Sequence, residues 1–210
     1  MELWSGVLSN NAAKVRIVLA EKNLPYQTNE MPWSKATQWE PKPEAFLAVS
    51  PRGQVPVLVD GELAIHDSTV INEYLEEKFP EVSLFPEGVE ARVICRQWED
   101  EGDFQQGAVG ILISEVFMAT EAAELSSAGK EAISQLEQFV ARLEKQLGDQ
   151  EYICGSYTVA DISVFLTLAF AQVLGLTIQS EKVLSWIDRV MSRPCVKAEF
   201  ESIMVASAAA

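Results

Sequence analysis

The chain is poor in the residues from which metal centres and disulfide frameworks are built. Its 210 residues include one histidine and three cysteines, Cys95, Cys154 and Cys195, an odd number at wide spacings. That pattern fits neither paired disulfides nor a metal-ligand cluster, so three reduced thiols and no bound metal are expected. His66, without nearby Cys or His partners, is given no ligand role. Positive charge is scarce as well: 16 Lys and Arg against 31 Asp and Glu leave a net charge of −15. Affinity for nucleic-acid phosphates comes from clustered Lys and Arg, so no nucleic-acid partner is expected. No run approaches the roughly 20 apolar residues that span a bilayer, and the start MELWSGVLSNNAAK lacks a secretory signal's basic and apolar regions. The expectation is a cytoplasmic protein with no membrane association.

What is present is an ordinary globular composition, 48% hydrophobic and 22% charged, enough to bury a core. Residues Glu2 to Trp4 read as a strand. A helix follows on Ala13, Ile17, Val18 and Ala20 and ends at Asn23-Leu24-Pro25. Tyr26 to Met31 can supply a second strand, parallel to the first if the crossover is right-handed. Residues 54 to 66 hold two apolar runs around Asp60-Gly61, a hairpin signal. Asp67-Ser68 then precedes a helix with Val70, Ile71, Tyr74, Leu75 and Phe79 on one face, stopped by Pro80. From Glu87 onward only helical patterns are legible, and Thr158 to Asp161 reads as a capping box. The division implied is a domain over 1–80, a linker over 81–88 and a helical domain over 89–210.

The most informative fragment is SPRGQVPVL, residues 50 to 58, where Pro56 opens a strand although proline cannot donate to a sheet ladder. Together with the hairpin and HDSTVINEYLEEKFP, it resembles the glutathione transferase superfamily, in its Ser-type, phi-like or a related bacterial class. The resemblance implies an α/β thioredoxin-like N-terminal domain, βαβ then ββα, followed by an all-α bundle. It implies a cis peptide before Pro56, with the Val55 backbone pairing the cysteinyl part of glutathione like an added strand, and Gln54 beside it. Asp67-Ser68 would take the γ-glutamyl end. Ser68 and the first helix amides suit a carboxylate and Asp67 suits the ammonium; plain helix capping is equally allowed by the sequence. Lys42 would hold the glycyl carboxylate, the alternative being a solvated loop lysine.

Chemistry in this family needs a donor beside the glutathione sulfur, because only the thiolate is nucleophilic and a free thiol has a pKa of about 8.5. In VLSNNAAKVRIVL, Ser9 matches the active serine of the Ser-type classes, and Asn11 would orient it or assist the sulfur. A serine before a helix is also an N-cap, and Ser5 is a competing hydroxyl. This loop contains no cysteine, which disfavours thiol transfer through the enzyme's own sulfur and leaves conjugation or peroxide reduction. In the long helix after the linker, Asp100 and Glu101 either reach glutathione across a dimer or form a solvated face. Phe104, Ile111, Phe117 and Phe170 are candidates for the second-substrate pocket, or simply core. The resemblance implies a homodimer whose partners are glutathione, as co-substrate, and a small electrophile, with no tightly bound cofactor. Two alternatives stand beside it: a β-aryl-ether-cleaving or dehalogenating enzyme, and a non-catalytic binding module of the same fold.

Overall fold

Alternating apolar residues and a run of short turns build a four-stranded sheet first. The structure, a computed structural model of the chain, describes residues 1–121 and 123–209. Strands β1 (Glu2–Ser5), β2 (Gln27–Glu30), β3 (Val57–Asp60) and β4 (Leu63–His66) lie in the order β2-β1-β3-β4. β1 and β2 are parallel, joined through α1 (Asn10–Glu21); β3 is antiparallel to β1 and to β4. The β3–β4 turn is two residues, Gly61-Glu62, with Gly61 at φ +63°, a conformation that favours glycine at the first turn position.

Registers Leu3↔Leu58 and Leu58↔Ile65 put three buried residues on one sheet face, which α3 (Ser68–Lys78) covers with α1 packed beside it. On the other face, buried Met31, Phe46 and Val57 form a cluster with Trp4, Trp39, Val49 and Val55 against it. Phe46 comes from α2 (Glu44–Val49), a short helix inside the polar stretch that sequence periodicity left unassigned.

A buried ion pair closes this unit. Lys22 donates to Glu76 Oε2 at 2.7 Å and to the carbonyls of Phe79 and Val82 at 2.9 and 2.6 Å. Burial works against the Glu76 charge, but bonds from Lys22, Ser83 and the Leu84 amide hold its carboxyl below the usual range.

The second unit is helical: α4 (Val89–Leu112), continued by a π-helical turn over Ile113–Phe117, then α5 (Ser127–Leu147), α6 (Val159–Val173) and α7 (Glu181–Met191). α6 is buried along almost its whole length. The capping box forms, and Asp161 also accepts from Ile153 N at 3.0 Å and Trp186 Nε1 at 2.9 Å. α4 approaches α6 closely: Thr167 Oγ1 donates to the Gly102 carbonyl at 3.0 Å, and a Cβ on Gly102 would meet Ser163 Oγ at 2.5 Å.

The chain divides into Met1–Leu84 with the stretch from Pro194, and Phe85–Arg193. The sequence reading placed all of 89–210 in the helical domain. In the structure α8 (Pro194–Ala209) packs on α1 instead, with Arg16 Nε donating to Glu199 Oε1 at 2.9 Å. Among the described residues no helix is long and apolar enough to cross a membrane.

Candidate functional site

The loop from β1 into α1 is fixed from below by one guanidinium. Arg16 donates to the carbonyls of Gly6 and Val7 at 3.1 and 3.2 Å and to the Ser5 hydroxyl. Ser5 is 0% exposed, so its hydroxyl is buried and engaged. Ser9 ends the loop as N-cap of α1: its Oγ accepts from Ala12 N at 3.2 Å while its backbone stays extended. Since the oxygen does the capping, the hydroxyl hydrogen is left to donate elsewhere. The α1 amides place positive potential beside it.

Ser9 lines a cavity of about 220 Å³ together with Leu8, Met31, Trp39, Lys42, Phe46, Gly53 and Val55. The candidates Ser9, Lys42 and Val55, taken from three separate segments, thus meet in one hollow over the Met31–Phe46–Val57 face of the sheet. Lys42 is largely covered, its side chain 26% exposed, and its Nζ pairs with Glu40 Oε1 at 2.8 Å. The hydrogen bond from Lys42 holds the Glu40 carboxyl below the usual range. Gly53, at φ +59°, lies under the lysine, where a Cβ would sit 3.4 Å from its Cδ.

The peptide bond between Val55 and Pro56 is cis, and a second one, between Glu40 and Pro41, is cis too. β3 pairing begins at Val57, so the Val55 amide and carbonyl make no ladder bond. The turn ahead of it is pinned by Ser50, whose Oγ bonds both the amide and the carbonyl of Gln54 at 3.0 Å. The Gln54 side chain is exposed and does not line the cavity.

Asp67 caps α3, its Oδ1 accepting from Thr69 N at 3.0 Å and Val70 N at 3.4 Å. Its backbone has φ +79°, which is strained for a residue with a Cβ and clusters at functional positions. Asp67 opens not into the first cavity but into a second depression of about 390 Å³, which also has Arg52, His66 and Val70 in its walls. The adjacent residues Arg52 and Gly53 line different hollows, Gly53 the first and Arg52 the second. Ser68, 5% exposed at the first position of α3, lines neither, nor do Asn11 and Pro56. In the helical unit Phe104 is 68% exposed on α4, and Ile111 shares its face by helical spacing. Phe117 and Phe170 are half-buried. Asp100 is exposed, and Glu101 is paired with Arg142 at 2.8 Å.

Sequence reasoning missed three contributors. Arg52 is the one cation within SPRGQVPVL, and its charge was the available signal. Ser50 precedes a Pro-x-Gly turn, where a hydroxyl commonly bonds backbone two or more residues on. Gly6 carried no signal: it makes room for Trp39, whose ring would lie 2.1 Å from an added Cβ.

The fold and the hollow together define a thioredoxin-like domain joined to a helical unit, with a hydroxyl, an ammonium and an unpaired backbone edge converging. Residues 4–83 match the glutathione S-transferase N-terminal domain model and residues 112–202 the glutathione S-transferase C-terminal domain model. The chain belongs to the glutathione S-transferase superfamily. It is similar to glutathione S-transferase 1 of Dianthus caryophyllus, 42% identical over 97 residues, which are 46% of this chain and 42% of that protein. The matched stretch thus spans less than half the length of that relative. Similarity to glutathione S-transferase 1 of Schizosaccharomyces pombe is 29%, over 95% of this chain and 94% of that one. Among solved structures, a glutathione S-transferase from Rhodospirillum rubrum F11 superimposes with a TM-score of 0.81 at 28% identity, covering 94% of this chain and 90% of that one.

Proposed function

We propose that this protein is a glutathione transferase that activates glutathione as a thiolate and directs the sulfur at an electrophile. The observation that carries the reading is the meeting of Ser9, Lys42 and the unladdered Val55 backbone in one cavity. Glutathione lies along Val55 as an extra strand, with its glycyl carboxylate on Lys42, and Gln54 and Pro56 shape that edge. Its γ-glutamyl end reaches the start of α3, where Ser68 and the positive end of the helix dipole suit a carboxylate and Asp67 suits an ammonium. The Ser9 hydroxyl donates to the sulfur, favouring the ionised form, and Asn11 supports it.

The thiolate then attacks an electrophilic carbon, a carbon–sulfur bond forms, and the leaving group departs with its electron pair. Peroxide reduction by the same thiolate fits the same site. Phe104, Ile111, Phe117 and Phe170 supply the apolar contacts to the electrophile, the exposure of Phe104 supporting that role. Glutathione is consumed as a co-substrate, and no tightly held cofactor takes part. A cytoplasmic homodimer working in detoxification completes the proposal; exposed Leu63 and Val70 supply apolar surface suited to a second copy.

Binding of glutathione and turnover of a chloronitroarene, measured on wild type, Ser9→Ala and Ser9→Thr, test the assignment. Ser9→Ala should lose about 10²- to 10³-fold in kcat with glutathione affinity nearly unchanged, and Ser9→Thr should retain much of the activity. Wild-type turnover in Ser9→Ala would remove Ser9 from the chemistry.

A further inference from the structure

Glu199, on α8, does not line the cavity that holds Ser9, yet a short run of hydrogen bonds leads from one to the other. Glu199 Oε1 accepts from Arg16 Nε at 2.9 Å and from Nη2. The same guanidinium donates to the Gly6 carbonyl at 3.1 Å through Nη1, to the Val7 carbonyl at 3.2 Å through Nη2, and to Ser5 Oγ. The Gly6 carbonyl accepts in turn from the Ser9 amide at 3.0 Å. One carbonyl oxygen therefore carries both the guanidinium and the backbone of the residue that caps α1.

All five N–H donors of Arg16 have acceptors, two of the bonds going to Glu199 and three to residues 5–7. A guanidinium is a rigid planar fork, so whatever fixes one edge of it aims the others. The carboxylate fixes that edge by charge-assisted bonds, and with both side chains only 12% exposed the pair is little weakened by water. The loop has few other restraints. The Val7 amide donates to Glu30 Oε1 at 2.9 Å, and Trp39 packs where a Gly6 Cβ would be.

We propose that Glu199 and Arg16 are positioning residues for the chemistry at Ser9. The carboxylate on α8 sets the plane of the guanidinium, the guanidinium holds the Gly6 carbonyl, and that carbonyl sets the Ser9 backbone so that its hydroxyl meets the glutathione sulfur. The proposal rests on the reading of Ser9 as the thiolate donor. A donor displaced by a fraction of its bond length costs rate more than binding, and the last helix of the chain thus acts on the reaction from outside the cavity.

The test compares wild type with Ser9→Ala, Glu199→Ala, Glu199→Gln and Ile203→Ala in the full chain. Four quantities are read: kcat on a chloronitroarene at saturating glutathione, glutathione affinity by calorimetry, far-ultraviolet absorbance of the bound thiolate, and exchange of the Ser9 amide. Glu199→Ala should lose roughly 10- to 100-fold in kcat with affinity nearly kept, a weaker thiolate band and faster Ser9 exchange. Glu199→Gln keeps an oxygen for Arg16 and should recover most of the loss. Ile203→Ala takes a fully buried contact from α8 without touching the pair, and should lower the denaturation midpoint at unchanged kcat. Full kcat in Glu199→Ala beside an impaired Ser9→Ala would overturn the positioning role alone. An equal kcat loss in Ile203→Ala would overturn it too, by tracing the effect to the docking of α8. Full kcat in Ser9→Ala, or no turnover in wild type, would overturn the reading of Ser9 and this proposal with it.

Discussion

A Lys42 that holds the glycyl carboxylate of glutathione has to let go of Glu40 first. The two side chains are 2.8 Å apart, Glu40 being well exposed and Lys42 mostly covered. A carboxylate entering the cavity therefore exchanges one acceptor for another on the same ammonium. Exposed pairs are weak, so Glu40→Gln should tighten glutathione binding no more than a few-fold, with the gain fading at high salt. Lys42→Met removes a charge-assisted bond in a partly covered setting, worth about 1.5–3 kcal/mol, or roughly 10- to 150-fold in affinity. The glycyl end is remote from the sulfur, so the loss should fall on KM for glutathione while kcat at saturation is kept. Calorimetric titration at low and high ionic strength reads both variants. Glutathione with its glycyl carboxylate esterified is the control and should bind wild type and Lys42→Met alike. Equal loss for the ester and the free acid, or no loss in Lys42→Met, would refute the role of Lys42.

Four further outcomes are expected. Lys22→Met leaves buried Glu76 short of its cation and should cost about 3 kcal/mol, the low end for a broken buried pair because Ser83 and Leu84 still donate; denaturant titration checks it, and adding Glu76→Leu should restore much of the loss. Glu76 has a folded pKa held below its unfolded value of about 4.3, so its stabilisation is full above that pH and disappears as pH falls through the folded value; the acid limb of a stability–pH curve should flatten in the double variant. Gly102→Ala drives a Cβ into Ser163, with its backbone carbon 3.0 Å away, and should cost about 1–3 kcal/mol, read as a lower denaturation midpoint with an unchanged m-value. Arg16→Ala releases the carbonyls of Gly6 and Val7 and should speed amide exchange across residues 6–9; exchange faster only in α8 would show that the arginine merely anchors that helix.

The parts of the fold that were readable carry their cause locally. The turn at Gly61, the capping box at Thr158 and the proline that stops α3 are each specified by a few adjacent residues, and each stands where the sequence put it. α2 was not readable because six residues between prolines offer no periodicity to detect. The membership of α8 was not readable either, since a helix's apolar face does not say which partner covers it. Its place depends on Arg16 and Glu199, 183 positions apart. The same holds for Gly102, whose need for a bare Cα exists only once Ser163 lies against it. In the candidate site, Ser9, Val55 and Lys42 could be named as candidates from their motif segments, whereas the placing of adjacent Arg52 and Gly53 on different hollows has no local signal.

Strand directions account for how the anion site we propose fits in an acidic chain. β3 runs antiparallel to both β1 and β4, with Trp4, Val57 and His66 in register across them. The exit of β1, the entry of β3 and the exit of β4 therefore share one end of the sheet. α1 follows the first exit and α3 the last, so Ser9 and Asp67 deliver two helix N-termini to the end where Val55 leaves its backbone unladdered. The aligned peptide dipoles of those two helices supply positive potential that does not depend on side-chain charge. Against a net charge of −15, Lys42 and Arg52 then need to add only local selectivity, and replacing either should alter which carboxylates bind more than whether an anion binds.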